Sequence, residues 1–200
     1  MEFIKDIRAL EALYGTPGAA SIRKVADHLT PLYAKWIDRS RFLVLSTVGP
    51  DGTDGSPRGD DGPVVLQLDA KTLALPDWRG NQRLDSLRNI VVDGRVSLMF
   101  MVPGSNTVVR VNGQARLTTN DGLRARFEQK GRNPATVIVV KIGEVYTQCA
   151  RALIRAELWT RDDGQALPTP GEILAEVSKG EEGGRPYDEA WPERAARTMW

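Results

Sequence analysis

The most informative stretch of this chain is LALPDWRGNQRLDSLRNI, residues 73–90. An apolar run with strand character ends at a proline, a glycine-containing turn follows, and a short helix is predicted over residues 81–89 with Asn81 and Arg83 in its first turn. Free N–H groups and the positive dipole end of a helix attract anions, and an arginine can hold an anion through two parallel hydrogen bonds. The stretch therefore predicts a phosphate-binding turn. The alternative is that Asn81 only caps the helix and Arg83 is a solvated surface residue.

The composition is that of an ordinary globular protein. Of the 200 residues 41% are hydrophobic and 26% are charged, and the formal net charge is +1. A charge this close to neutral gives no reason to expect a nucleic acid or an acidic membrane as a partner. The N-terminus carries early acidic residues and no apolar signal region, and no apolar run has membrane-spanning length. We therefore expect a cytoplasmic protein that binds neither nucleic acid nor membrane.

The chain has one cysteine, Cys149, and one histidine, His28. A single cysteine excludes an intrachain disulfide and a cysteine-rich zinc site. A single histidine argues against a histidine-based metal centre or a Ser-His-Asp triad, so no metal site is expected. Cys149 has no histidine near it in sequence and is interpreted as a small buried hydrophobe rather than a nucleophile. His28 is expected to be structural, in an amphipathic helix. The sequence identifies no catalytic residue.

Six segments have strand character, and four regions are predicted to be helical or extended. The predicted strands are residues 41–48, 64–68, 72–75, 95–102, 107–119 and 136–145. The segment 95–102 is expected to be buried on both faces, and 107–119 alternates as a half-buried antiparallel strand does. The predicted helices or arms are residues 2–37, 81–89, 120–130 and 146–159. Short connections between six strands predict a small antiparallel barrel.

Three regions follow from this pattern. Residues 1–39 form an N-terminal helical arm, residues 40–160 form the barrel domain, and residues 161–200 form a C-terminal arm. Within this last region the Gly/Pro/Glu-rich residues 162–184 have too few apolar side chains to pack alone. We expect the arm to pack on the barrel or on a dimer partner, with Tyr187, Trp191 and Trp200 as aromatic anchors.

Several segments together resemble the pyridoxamine 5'-phosphate oxidase-like FMN-binding split-barrel family. They are RFLVLSTVGPDG, DGSPRGD, LPDWRGNQRLDSLRNI with RVSLMFMVPG, and VVRVNGQARL, followed by a late CARALIRAELW. The closest likeness is to a bacterial subgroup of FMN-dependent enzymes marked by the motifs SPxGD and GNxRxDSxxN. The resemblance covers roughly residues 40–159. It implies a mainly β fold with flanking helices, a six-stranded antiparallel split β-barrel that forms a homodimer with FMN in a cleft between the subunits.

The resemblance also implies which residues hold the cofactor. The flavin phosphate would lie on small polar and basic side chains of the second strand and of the turn-helix. The chain just before the turn-helix would pass the isoalloxazine edge. The matching positions are Ser56, Arg58, Asn81 and Arg83 for the phosphate, and Pro76, Asp77 and Trp78 for the ring.

Three assignments have open alternatives. The segment SPRGD can be a polar bulge between hairpins, since proline and glycine suit a central strand poorly. We favour Arg58 as a flavin or phosphate contact because it lies between these two residues. Arg110 on its half-buried strand is predicted either to line the cofactor cleft or to face solvent. Trp78 either stacks on the flavin or lies at a surface or interface.

The sequence departs from the true pyridoxamine phosphate oxidases at the C-terminus. Their aromatic-rich run with Arg-x-His, which grips pyridoxal phosphate, has no counterpart after residue 159, where the chain has no histidine. The resemblance therefore implies the cofactor and not the substrate. The prediction is an FMN-dependent oxidoreductase whose donor is a reduced nicotinamide or a small-molecule amine. The alternatives are a flavin carrier or redox sensor without turnover, and a split barrel that binds haem or a deazaflavin. Haem is disfavoured because His28 lies outside the predicted barrel.

Overall fold

One antiparallel sheet forms the centre of the molecule. The computed structural model describes residues 1–199. The sheet has the strand order β2-β1-β5-β6-β7-β4-β3. Its strands are β1 (Phe42–Gly49), β2 (Gly52–Gly59), β3 (Leu66–Asp69), β4 (Thr72–Asp77), β5 (Arg95–Met101), β6 (Val108–Thr118) and β7 (Thr136–Gln148).

Helices precede, interrupt and follow the sheet. They are α1 (Ile7–Tyr14), α2 (Ala19–Arg23), α3 (Pro31–Ile37), α4 (Asp85–Val92), α5 (Asp121–Ala125), α6 (Arg151–Ala156), α7 (Pro170–Val177), α8 (Gly184–Glu189) and α9 (Trp191–Thr198). Within residues 1–199 none of the helices combines the length and the apolar character needed to cross a membrane.

The predicted fold class, a mainly β split barrel with flanking helices, is confirmed, but the sheet has seven strands rather than six. The additional strand is β2, which contains the SPRGD segment and pairs with β1 from Phe42↔Gly59 to Gly49↔Gly52. The sequence pattern missed it because proline removes a ladder hydrogen bond and glycine weakens a strand. On an edge strand, where one side has no neighbour, proline is tolerated. The interpretation of SPRGD as a bulge is therefore wrong.

The inner face of the curled sheet holds the core. Its fully buried side chains include Leu43, Leu45, Leu98, Phe100, Val109, Val111, Ile138 and Val140. Burying this face requires the sheet to twist and curl on itself, as strand twist favours. The expectation that residues 95–102 are buried on both faces is wrong, because Ser97 and Met99 alternate with buried neighbours and are only half-buried.

Helix α4 packs over strands β1 and β2 through polar contacts. The buried Ser86 hydroxyl donates to the Asp54 carboxylate on β2. One turn later, Asn89 Nδ2 donates to Thr47 Oγ1 on β1 at 3.0 Å. Gly49 lies directly beneath this helix, because a Cβ added there would overlap Asn89 Oδ1. These contacts fix the start of α4 beside β2.

The N-terminal region differs in detail from its prediction. His28 lies in a bend rather than in a helix, and its Nδ1 is 2.7 Å from Asp27 Oδ1. Lys71 Nζ in the β3–β4 turn donates to Asp27 Oδ2 at 2.7 Å. Hydrogen bonds from His28 and Lys71 lower the pKa of Asp27 to about 2. This cluster ties the chain before α3 to the sheet.

The C-terminal region also departs from expectation. Strand β7 continues to Gln148, so the helix expected over residues 146–159 is reduced to α6. Residues 162–184 contain helix α7, which begins with a full capping box between Thr169 and Glu172. Asp188 of α8 accepts hydrogen bonds from Gly171 N at 2.8 Å and from Thr169 Oγ1 at 2.6 Å. Polar capping therefore holds this region together where apolar residues are few. Trp200, predicted as an anchor, lies outside the described residues.

We expect Gly49→Ala to destabilise the protein. The new methyl group would displace Asn89 and break its hydrogen bond to Thr47, which costs about 1–2 kcal/mol of unfolding free energy. Gly55→Ala on β2 is the matched control, because a Cβ there has no neighbour within 4 Å. Urea unfolding of the two variants checks this prediction, and equal stabilities would contradict the placement of α4.

Candidate functional site

An ion pair joins strand β2, at one edge of the sheet, to the end of strand β4 near the other edge. Arg58 Nη1 lies 2.5 Å from Asp77 Oδ1, and the two side chains are only 18% and 15% exposed. Arg58 is opposite the fully buried Leu43, and Asp77 is opposite Thr136. The pair therefore lies on the inner face, at the mouth of the barrel, and spans the opening between β2 and β4.

The segment after β4 is fixed at two points, to β2 and to the residue that follows β2. At its start, Trp78 Nε1 donates to Asp60 Oδ2 at 3.0 Å. At its end, the hydroxyl of Ser86 donates to Asp54. The β2 loop, defined here as residues 79–84, therefore spans the part of β2 that carries Ser56. Because alternate residues of a strand share a face, Asp54, Ser56 and Arg58 point to the same side.

The start of α4 differs from the prediction. The helix begins at Asp85, so Asn81 and Arg83 precede it in the β2 loop instead of forming its first turn. Leu84 has a positive φ of 65°, and a residue in this left-handed region cannot continue a right-handed helix. Asn81 does not cap α4 either, because its Oδ1 accepts a hydrogen bond from Arg83 N at 3.1 Å.

Several hydrogen-bond donors around this loop are open. Helix α4 has no side-chain cap at its N-terminus. Among the described residues, the backbone N–H groups of residues 79–82 and the Ser56 hydroxyl make no hydrogen bond within the chain. Open N–H groups beside a helix N-terminus form the kind of arrangement that binds phosphate. The donors come from the loop and from β2 together.

Carboxylates already partner both predicted phosphate-binding arginines. Arg83 Nε donates to Asp85 Oδ2 at 2.9 Å, but its side chain is 74% exposed and its two Nη groups are uncommitted. Arg58 is held by Asp77, and its Nε is buried without a partner among the described residues. Because Arg83 is far more exposed than Arg58, it suits an incoming phosphate better than Arg58 does.

Arg110 does not lie with the other predicted residues. Across the sheet its row runs through Met99, Val44 and Pro57, whereas the row of Arg58 runs through Leu43 and Phe100. Neighbouring rows alternate between faces, so Arg110 is on the outer face and Arg58 on the inner. On that outer face Arg110 lies over the Tyr146 ring, with its guanidinium carbon 5.6 Å from the ring centroid. Within one chain the two arginines do not converge.

The remaining predicted ring contacts are at the end of β4. Pro76 is buried against the β7 side, opposite Val137, so its side chain faces away from the mouth. Trp78 packs on a second apolar cluster with Ala74, Phe127 and Val137, and its indole edge reaches Asp60. The structure thus brings Ser56, Arg58, Asp77 and Trp78 to one mouth of the barrel, and it joins the loop with Asn81 and Arg83 to the same strand.

The sequence did not predict the contacts by which carboxylates anchor this site. Asp54 and Asp60 fix the two ends of the loop, and Thr136 lies beside Asp77 with its hydroxyl buried and unpartnered. The signal for the first two was the period-two series of polar residues at 54, 56, 58 and 60, which indicates one face of a strand. Thr136 is adjacent to the site only through the register of β4 and β7.

Neither Cys149 nor a metal-binding group belongs to this site in the described part of the chain. Cys149 is exposed, so its interpretation as a buried hydrophobe is wrong; its Sγ accepts a hydrogen bond from Arg151 N at 3.5 Å. In the part of the chain that the structure describes, no group of three His, Cys, Asp or Glu side chains could hold a metal ion.

Comparison with protein families gives a match over most of the barrel. Residues 29–149 match the family model described as pyridoxamine 5'-phosphate oxidase. The comparison with curated protein sequences found no match.

Solved structures share the fold at low sequence identity. A variant of HupZ from Group A Streptococcus has a TM-score of 0.50 at 16% identity, covering 60% of this chain and 98% of that chain. A candidate pyridoxamine 5'-phosphate oxidase from Lactobacillus delbrueckii has a TM-score of 0.48 at 22% identity, covering 60% and 95%. An FMN-binding protein from Syntrophomonas wolfei has a TM-score of 0.45 at 12% identity, covering 72% and 97%. The HupZ match shows the fold alone.

We expect Asp77→Asn to destabilise the protein by about 2 kcal/mol, a value between those of exposed and buried ion pairs, because it leaves the Arg58 charge unpaired. Asp85→Asn removes the partner of the exposed Arg83 and should change stability by at most about 0.5 kcal/mol. Denaturant unfolding of both variants gives the comparison. Equal effects would contradict the buried position of the Arg58–Asp77 pair.

Proposed function

This chain belongs to the pyridoxamine 5'-phosphate oxidase family, and we propose that it binds FMN and acts as an FMN-dependent oxidoreductase. The observation that carries the proposal is the joining of the β2 loop to strand β2, since the open N–H groups and the exposed Arg83 guanidinium belong to this loop and the Ser56 hydroxyl belongs to the strand. A set of donors with an exposed positive charge suits a phosphate monoester. FMN combines such a phosphate with an aromatic ring system.

The phosphate would be held by Arg83 and by the loop, and the ring by residues at the end of β4. Arg83 offers its two uncommitted Nη groups, Asn81 keeps the loop turned, and Ser56 offers its hydroxyl. Arg58 takes the role of a flavin contact, because it is largely buried and held by Asp77. Its remaining N–H groups would face the polar edge of the ring near Asp77 and Trp78.

The protein contributes orientation and charge, and the bound flavin would supply the hydride chemistry. The Arg58 guanidinium, fixed by Asp77, would donate its remaining N–H groups to the nearest ring edge and so favour electron density there. Trp78 and the β2 loop would lie beside that edge. No side-chain acid or base is required for hydride transfer, so the proposed reaction needs only a donor that can reach the ring, such as a reduced nicotinamide or another small molecule.

The homodimer is part of the proposal. Arg110 lies on the outer face with Tyr146, away from the mouth of its own barrel. Its proposed role as a flavin contact therefore requires that it reach the cofactor of a second subunit. A cleft formed by two copies would combine the outer face of one barrel with the mouth of the other.

A flavin carrier or redox sensor is the alternative within this family. The observation that favours a carrier is that the sequence identifies no catalytic residue. The two functions differ in one measurement. Under anaerobic conditions NADH or NADPH should bleach the absorbance of FMN bound to an oxidoreductase, whereas FMN on a carrier stays oxidised.

We expect Arg83→Ala to weaken FMN affinity by on the order of 2 kcal/mol, or roughly 30-fold in Kd, which is the scale of charge-assisted hydrogen bonds. Arg95→Ala is the matched control, because Arg95 also bonds an aspartate two residues away, Asp93, but lies at the start of β5. Quenching of FMN fluorescence measures both affinities. An unchanged Kd in Arg83→Ala would move the phosphate away from the β2 loop.

A further inference from the structure

Helix α1 exposes an apolar stripe that nothing in the described chain covers. None of residues 1–23 is buried. Ile7, Leu10, Leu13 and Tyr14 lie at helical spacing, and three of them are more than two-thirds exposed. The helix is nonetheless capped at both ends, by the Asp6 side chain and by Gly15. A helix of eight residues is not stable in water without packing, so its sequence is built to dock on another surface.

An unfilled apolar groove runs along α4 on the same chain. It is lined by Leu84, Leu87, Arg88, Val91, Val92 and Leu117, with Val91 72% exposed and Val92 65% exposed. Arg88 is the only charged residue in this lining, and it forms no ion pair among the described residues. An apolar groove with one positive charge fits an apolar helix with one negative charge at its border.

Helix α1 supplies this complement. Glu11 follows Ile7 by one helical turn, so it borders the apolar stripe, and it forms no ion pair within residues 1–199. Docking would cover the exposed valines with Leu10 and Leu13 while Glu11 approaches Arg88. Apolar burial would contribute most of the affinity, and the charge pair would set the orientation of the helix.

The direction of the chain argues against docking within one molecule. Ala26 forms an antiparallel bridge with Val145, and Lys24 lies over the Tyr146 ring. The chain preceding Ala26 therefore leaves towards the Gln148 end of β7. The groove lies at the opposite end, where Leu117 pairs with Ile138, and the ten residues between these two ends span roughly 33 Å.

We propose that α1 of each molecule docks into the α4 groove of a second copy of this chain. The exchange is reciprocal, because each copy presents one helix and one groove, so it closes as a two-fold dimer. Docking would also bring α1 of the second copy close to the proposed cofactor site, because Leu84 in the groove directly follows Arg83 in the β2 loop. That consequence rests on the proposed FMN site, whereas the docking itself does not.

Cross-linking between two different cysteine variants tests the docking. In a Cys149→Ser background, which removes the only native cysteine, one protein carries Leu13→Cys and another Val91→Cys. Mixed and oxidised without flavin, they should form a disulfide-linked dimer. Arg8→Cys on the polar face of α1 is the control and should not cross-link to Val91→Cys. Absence of the Leu13–Val91 dimer overturns the proposal, as does an internal disulfide in a chain that carries both cysteines.

A charge exchange tests the orientation by sedimentation equilibrium. Glu11→Arg and Arg88→Glu should each weaken self-association several-fold, and the double variant should restore it. Arg8→Glu, on the opposite side of α1, should leave self-association unchanged. If the double variant associates no better than the single ones, the proposed contact is wrong. Neither experiment uses FMN, so their failure and the failure of FMN binding are separate results.

Discussion

The ion pair between Arg58 and Asp77 is the contact on which the site depends. It joins an edge strand of the sheet to the end of a strand near the other edge, at the mouth of the curled barrel. With Asp60 on Trp78 and Asp54 on Ser86, it forms a series of polar contacts along one face of β2. These contacts fix both ends of the β2 loop. A half-buried charge pair tolerates little displacement, because each partner would otherwise remain unpaired in a poorly solvated place.

The sequence predicted the barrel because its strands alternate strongly. Strand β6 shows this best: Val109, Val111 and Ala115 are buried, as the period-two pattern indicates. The sequence did not predict strand β2, because Pro57 and the glycines around it are unfavourable in a central strand. They are tolerated here because β2 lies at the edge of the sheet. The start of α4 was missed because the left-handed conformation of Leu84 has no sequence signal of the kind that glycine gives.

The candidate site was predictable by residue type but not by geometry. The residues at the mouth came from two motifs that lie far apart in sequence, and the resemblance placed them together. No local sequence pattern could show that Arg58 forms an ion pair with Asp77, or that Arg110 lies on the outer face. Both the ion pair and the position of Arg110 follow from the register of the strands. The pairing of Arg58 with Asp77 leaves Arg83 as the more accessible of the two predicted phosphate-binding arginines. The outer-face position of Arg110 separates it from the mouth of its own barrel.

The phosphate site proposed in the β2 loop should make the protein bind FMN in preference to riboflavin, which lacks only the phosphate. In titrations of the protein with the two flavins, FMN should bind at least about 30-fold more tightly, corresponding to about 2 kcal/mol from the charge-assisted hydrogen bonds to the phosphate. Equal affinities for the two flavins, or no binding of either, would exclude this site.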